Sequence, residues 1–288
     1  MAKFDDKTGK KFNMLTVKKY LGSSKWLCKC DCGNECIVAS ALLNEIPGRL
    51  KVKSCGCLRE KNLPEKEDFF ENIDCESKSY ILGFIASDGC IQPELNRIKI
   101  DLKDVDEDIL IKIQKEIGHK NKLSHYSQEI DIGDKHYTAH TSRLIISSKK
   151  VVKDLEKYGI VKNKSNVLNV TLDKIPREYF FDYLRGVIDG DGCISFVEGG
   201  TCNLTITTST VMAEHLNKYI EDFLGESKFY LTHRHKDVLD NATLQATNKH
   251  FIYNILTRTY ENETISLNRK KEKYLAYKHY YETKIKKS

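Results

Sequence analysis

Two aspartates, Asp88 and Asp191, stand at the same place in two copies of one short pattern. The first copy reads Ile81-Leu82-Gly83-Phe84-Ile85-Ala86-Ser87-Asp88-Gly89-Cys90-Ile91. The second reads Leu184-Arg185-Gly186-Val187-Ile188-Asp189-Gly190-Asp191-Gly192-Cys193-Ile194. Each is an apolar stretch carrying two small residues four apart, Gly83 and Ser87 or Gly186 and Gly190, that ends in Asp-Gly and runs into a strand-like segment. Residues four apart share a helix face, and small side chains there let two helix backbones approach closely. Two helices packed by those faces bring both carboxylates to one spot. That spot is electrostatically poor. Each Asp faces the negative end of its helix dipole, and two carboxylates side by side repel, which raises a pKa. A hard divalent cation with oxygen ligands, above all Mg²⁺, removes the conflict. The glycine after each Asp is expected to take the left-handed cap conformation. A lone Asp-Gly is an ordinary turn signal; duplication with matching context is what speaks for a site.

A second cluster lies near the N-terminus. Six of the ten cysteines fall between residues 28 and 57: Cys28, Cys30, Cys32 and Cys36, then Cys55 and Cys57 in Ser54-Cys55-Gly56-Cys57. Disulfides are not expected in a reducing cell, whereas clustered thiols with Cys-Gly turns suit a tetrahedral structural Zn²⁺. The segment has few apolar residues of its own, so a metal staple has a physical task. Cys55 and Cys57 are expected ligands together with two of Cys28, Cys30 and Cys32. The remaining four cysteines are scattered, and Cys90 and Cys193, at equivalent positions after each Asp-Gly, are expected to be core thiols.

Elements that position these groups can be read from periodicity. Residues 61–75 are polar and broken by Pro64, and are expected to be a linker after a module at 1–60. A motif helix capped by Ser77 or Ser79 follows, then a hairpin whose second strand alternates Ile98, Ile100 and Leu102 with Arg97, Lys99, Asp101 and Lys103. An amphipathic helix at 106–117, strands near 120–128 and 136–147, and a helix at 148–158 complete a first half spanning 76–170. The second half, 171–288, repeats the order: Pro176 near its helix start, strands near 193–197 and 202–208, a helix at 210–224, strands near 228–236 and 242–247, and a helix near 248–259. The tail, 268–288, reads as an amphipathic helix with Tyr274, Tyr277, Tyr280 and Tyr281.

Charge follows this layout. The net +6 divides into +7 over residues 1–66, −7 over 67–267 and +6 over 268–288. Basic ends and patterned strands would meet a polyanion. No apolar run approaches the ~20 residues of a membrane span, and Met1 to Lys11 has no apolar signal core. The expected location is intracellular, in a cytoplasm (bacterial or phage-infected) or an organelle, with no membrane partner.

Both motif segments resemble the LAGLIDADG motif of homing endonucleases, in the single-chain form with two copies. The resemblance covers roughly residues 70 to 280. It implies an α+β fold of two pseudo-symmetric αββαββα half-domains meeting at the two motif helices, each with an antiparallel DNA-binding sheet, beside the small zinc-stabilised N-terminal domain. It implies that Asp88 and Asp191 bind two or three catalytic Mg²⁺ ions, with Gly89 and Gly192 as further candidate ligands. The earlier acidic position of the motif is Asp189 in the second copy and Ala86 in the first. A basic residue after the last helix of each half is implied beside the scissile phosphate; by position these are Lys164 and Lys270, with Arg269 and Lys271 able to take the second place. The stretch from Gly9-Lys10-Lys11-Phe12 to Leu58 is similar to a module at the ends of phage-type homing endonucleases, implying an accessory DNA contact.

The outward strand faces supply candidate DNA-binding residues: Arg97, Lys99, Lys103, Lys122 and Arg143 in the first half, and Asn203, Thr205, Thr207, Lys228, Tyr230, Thr232, Arg234, Lys236 and Gln245 in the second. Strands of about eight residues span roughly 27 Å, close to eight base pairs. The expected function is a monomeric, Mg²⁺-dependent, site-specific double-strand DNA endonuclease with a long asymmetric target. Two alternatives stand beside it: a non-cleaving DNA-binding regulator on the same scaffold, and an RNA-binding intron maturase using the basic tail.

Overall fold

The structure is a computed structural model, and it describes residues 4–43, 52–58, 63–133, 135–164, 167–197, 199–236 and 239–286, with the side chains of 132, 135, 234–236 and 239 outside the description. The chain divides into two compact units, residues 1–63 and 64–288.

The smaller unit is a meander of β1 (Lys11–Phe12), β2 (Leu15–Gly22), β3 (Lys25–Cys30) and β4 (Glu35–Ala39), antiparallel and paired in sequence order. Ser23 and Ser24, both with positive φ, make the tight turn between β2 and β3. Its core is short: Leu15, Val17, Trp26, Val38 and Leu43, joined by the thiols of Cys28, Cys30 and Cys57. So small a core does not hold a domain of this length without help.

The larger unit contains the duplication. Its first half runs α1 (Glu76–Asp88), β5 (Gly89–Gln92), β6 (Arg97–Lys103), α2 (Glu107–Ile117), β7 (Ser124–Ile132), β8 (Lys135–Ser147) and α3 (Lys149–Lys157). Its second runs α4 (Phe180–Asp191), β9 (Gly192–Phe196), β10 (Cys202–Ser209), α5 (Thr210–Leu224), β11 (Tyr230–Lys236), β12 (Leu239–Ala246) and α6 (Lys249–Tyr260). This is the αββαββα order twice. The sheets are antiparallel, ordered β5-β6-β8-β7 and β9-β10-β12-β11. Even the ladders coincide. Gly89 faces Ile100, which faces Leu144, and Gly192 faces Ile206, which faces Leu244. The apolar members of these alternating strands turn inward onto one continuous core.

Several expectations change here. Residues 64–75, placed in a linker, belong to the larger unit, and Phe69, Phe70 and Ile73 are buried in its core. An aromatic pair with an isoleucine outweighs the polar residues around it. Neither Ser77 nor Ser79 caps α1; Cys75 holds that position, and Ser79 is buried, donating to the Tyr179 carbonyl. The tail forms α7 (Asn268–Tyr280), which buries Tyr274 and Tyr277, and Tyr281 just beyond it, against the second half. Among the described residues no helix is long and apolar enough to cross a membrane.

Candidate functional site

The two motif helices touch backbone to backbone. A Cβ on Gly83 would lie 2.2 Å from the Tyr183 carbonyl oxygen, and one on Gly186 would lie 2.1 Å from that of Tyr80. Contacts this short are open only to glycine, which is why the small residues recur at that spacing. At the far end of the same interface, a Cβ on Gly190 would lie 2.3 Å from Ser87 Cβ and 3.3 Å from Asp88 Oδ2. The carboxylate of one helix therefore lies against the backbone of the other. The glycines after the aspartates do not adopt the expected left-handed cap: Gly89 has φ −74° and Gly192 φ −85°. They are glycine for room, since a side chain on either would meet a carbonyl of its own helix, Ile85 or Ile188, at 2.6 Å.

Asp88 and Asp191 thus meet at the C-terminal ends of α1 and α4. Asp88 is half-buried, and its carboxyl is pushed up to about 6, first by burial and then by the charge of Asp191. Asp191 opens to solvent, and desolvation at the junction raises its carboxyl too, with Lys164, Lys270 and Ser87 pulling the other way. Burial thus disfavours the charged form of both carboxylates, against the pull of the two lysines. Oxygen donors in such a state fit a hard divalent cation. The Gly192 carbonyl, expected as a further ligand, instead accepts from Lys270 Nζ at 2.8 Å. An ammonium at that oxygen repels a metal ion.

Raised carboxyl pKa values have a stability consequence. Unfolded, Asp88 titrates near its ordinary value of 3.8; folded and metal-free, near 6. The contribution is fully present below the unfolded value and is lost as pH rises through the folded one. Metal-free protein at pH 8 should therefore lose about 1.4 kcal/mol relative to pH 5 through Asp88. Urea melts of wild type and Asp88→Asn at both pH values check this: the variant should lack that increment, and identical pH dependence would refute it.

Lys164 and Lys270 are both brought to the junction, and both are buried, at 7% and 2% exposure. Lys164 donates to the Ser87 carbonyl and lines a cavity of about 170 Å³ with Ala86, Ser87, Asp191, Thr207, Thr208 and Asn241. Lys270, in the first turn of α7, donates to the carbonyls of Ile188, Asp189 and Gly192 at 2.6, 2.6 and 2.8 Å. Burial lowers its pKa to about 8. Each lysine places positive charge on the C-terminal carbonyls of a motif helix, where the dipole favours it. Arg269 pairs with Asp106 and Lys271 with Glu263, so neither replaces Lys270.

For three groups the sequence did not show what they meet. Asp189 is buried and accepts from the hydroxyls of Tyr80 (2.7 Å) and Tyr260 (2.6 Å) and from the Leu267 amide (2.7 Å). Arg185, equally buried, joins Asp182 and Glu76 to the carbonyls of Thr259 and Ile265. Asn241 lines the cavity, and its Oδ1 is buried without a hydrogen-bond partner among the described residues. The polarity of these side chains was visible; their partners, far away in sequence, were not.

On the open sheet faces the predicted residues are partly spent on one another. In the first half Arg97 donates to Gln92, while Arg143 and Lys99 both hold Asp101, and Lys103 is exposed. In the second, Asn203, Thr205 and Thr207 share the open side of β10; Thr207 bonds Thr243 and also faces the cavity. Tyr230, Thr232 and Gln245 are exposed. Lys122 and Lys228, placed on strands by sequence, precede β7 and β11 in the loops, and Lys228 pairs with Glu226. The side chains of Arg234 and Lys236 lie outside the described residues. Cys90 and Cys193 are exposed on these faces, not core thiols. Each follows an inward glycine at the start of a strand, so the alternation turns it outward.

In the smaller unit, the sulfurs of Cys30, Cys32, Cys55 and Cys57 lie within 4.8 Å of one another. Two Cys-x-Cys turns make the set, with Gly33 and Gly56 in positive φ beside them. The Cys30 thiol is pulled down to about 6, chiefly by the Cys32 amide, toward the thiolate a metal needs. Cys28, a candidate from the sequence, is not in the set. It sits within β3 opposite Val17 and Cys36, and burial raises its thiol. The four-sulfur arrangement is compatible with zinc.

No protein-family model matches the chain, and no curated protein sequence matches it. Solved structures similar to it include LAGLIDADG proteins. The LAGLIDADG meganuclease I-AabMI, bound to uncleaved DNA, shows 13% identity over 71% of this chain and 91% of that one, with a TM-score of 0.44. The homing endonuclease I-WcaI, bound to its DNA recognition sequence, shows 11% identity over 71% and 91%, with a TM-score of 0.49. The N-terminal LAGLIDADG domain of DUF199/WhiA shows 16% identity over 67% and 89%, with a TM-score of 0.38.

Proposed function

We propose that the chain is a single-chain, two-motif LAGLIDADG endonuclease, cutting both strands of duplex DNA at a long asymmetric site with Mg²⁺. The observation that carries this reading is the junction itself: two carboxylates held together at the ends of two fused helices, each helix end bearing a buried lysine. A non-cleaving binder has no use for that arrangement, whose charges work against the fold. The maturase reading loses part of its support, since three of the tail's four tyrosines, Tyr274, Tyr277 and Tyr281, are buried.

Bound divalent ions would be held by Asp88 and Asp191 and would supply positive charge at the attacked phosphate and acidify the attacking water. The chain's own residues do the rest. The fused motif helices fix the two carboxylates relative to each other. Lys164 Nζ stands beside Asp191 in the cavity, where an ammonium stabilises charge developing on a phosphate oxygen. The open sheet faces position the duplex through phosphate and base-edge contacts. Cleavage selection on randomised duplex DNA with Mg²⁺ tests the reading: a recovered site cut on both strands supports it, and no cut product over the full metal range refutes it.

The N-terminal unit fits a zinc-stapled accessory DNA-contacting module. Zinc analysis of Cys57→Ser should fall from one ion per chain to none, and limited proteolysis should then nick within 1–63 while 64–288 stays resistant. Unchanged zinc content would remove the metal from this account.

A further inference from the structure

The two half-sites repeat each other in backbone and differ in what their lysines are free to do. An ammonium has three protons to give. Lys270 gives its protons to the Ile188, Asp189 and Gly192 carbonyls, with Gly190 at 3.4 Å. Asp189 locks this in place: by accepting from the Leu267 amide and from Tyr260, it pins the entry to α7 onto α4. The first half has Ala86 where the second has Asp189. Tyr80 donates to Asp189, but Tyr183, its counterpart, is fully buried with a hydroxyl that has no partner among the described residues. The Lys164 ammonium correspondingly makes one hydrogen bond among the described residues, to the Ser87 carbonyl, and lines the cavity with Asp191 and with Asn241, whose Oδ1 has no partner among the described residues.

We propose that the half-sites are chemically unequal: Lys164 is the ammonium that meets a scissile phosphate, whereas Lys270, anchored by Asp189, is a positioning residue that holds the end of α4 bearing Asp191. The inference rests on the nuclease reading for its phosphate, but the division of labour between the lysines is legible in stability as well.

Lys164→Met and Lys270→Met are compared with wild type on a supercoiled plasmid carrying a duplex site recovered by cleavage selection. Lys164→Met should slow the cutting of one strand at least about 100-fold. Nicked circle then accumulates, excess Mg²⁺ does not restore the rate, and the Tm stays near wild type. Lys270→Met should lower the Tm by about 5 °C or more and raise the Mg²⁺ concentration for half-maximal cleavage about tenfold on both strands, with excess Mg²⁺ restoring most of the rate. Should Lys270→Met not fold, Asp189→Asn must give the same Mg²⁺ shift. The proposal is overturned if Lys164→Met cuts both strands at the wild-type rate. It is equally overturned if Lys270→Met keeps the wild-type Tm and loses cleavage that Mg²⁺ cannot restore. Should wild type cut nothing, the nuclease reading fails alone. The Tm values and calorimetric titration with Mg²⁺ still decide the positioning role, which falls if Lys270→Met matches Lys164→Met in both.

Discussion

Asp88→Asn and Asp191→Asn should each reduce DNA cleavage at least about 10³-fold, equivalent to roughly 4 kcal/mol of transition-state stabilisation. Asparagine keeps the shape and removes the charge that would hold a divalent ion. DNA binding should change by no more than a few-fold, because in the proposed function the outward strand faces, and not the junction, carry the duplex contacts. The metal-free variants should fold at least as well as wild type, since Asp88 and Asp191 repel across the junction. Asp189→Asn is the contrast: its carboxylate takes three donors, two on Oδ2 and one on Oδ1, and in either orientation an amide there would point its own protons at one or more of them. Strand-resolved cleavage and gel-shift measurements on the three variants decide the matter. Loss of binding together with cleavage at Asp88 or Asp191 would make those carboxylates structural.

Gly186→Val should be the most destabilising single change in the larger unit. Its Cβ position is 2.1 Å from the Tyr80 oxygen and 2.7 Å from the Phe84 nitrogen, both backbone atoms in a helix that cannot yield locally. Separating α1 from α4 opens the core between the halves and displaces both aspartates. The cost should reach ~3 kcal/mol or more, a fall in Tm of roughly 10 °C for a unit of this size. Gly199→Ala, with no atom within 4 Å of its Cβ position, provides the control and should shift stability by less than about 0.5 kcal/mol. Equal melting temperatures for the two variants would mean that α1 and α4 do not meet as described.

What could be read from the sequence was whatever repeats locally. Gly83 with Ser87 and Gly186 with Gly190 declared a helix face, and Ile98 and Ile100 declared a strand with one side inward. The pairing of thiols was readable to within one residue: Cys30, Cys32, Cys55 and Cys57 gather, and Cys28 stays in the strand. The fate of the charged groups was not readable. Whether Lys270 is free or caged depends on Asp189, whose partners Tyr80 and Tyr260 come from other elements. Whether Cys90 is core or surface depends on the phase of alternation after a glycine, and one residue reverses it.

The shared ladder register of the two sheets has a consequence for ionic strength. At matching rungs the first half carries Arg97, Lys99 and the Asp101–Arg143 ion pair, and the second carries Asn203, Thr205 and the Thr207–Thr243 hydrogen bond. One face works through charge and its twin through neutral hydroxyls and amides. Contacts of the first kind release counterions and weaken steeply with salt, whereas those of the second kind hardly respond. At these rungs a polyanion spread across both sheets would therefore loosen from the first sheet before the second as salt rises.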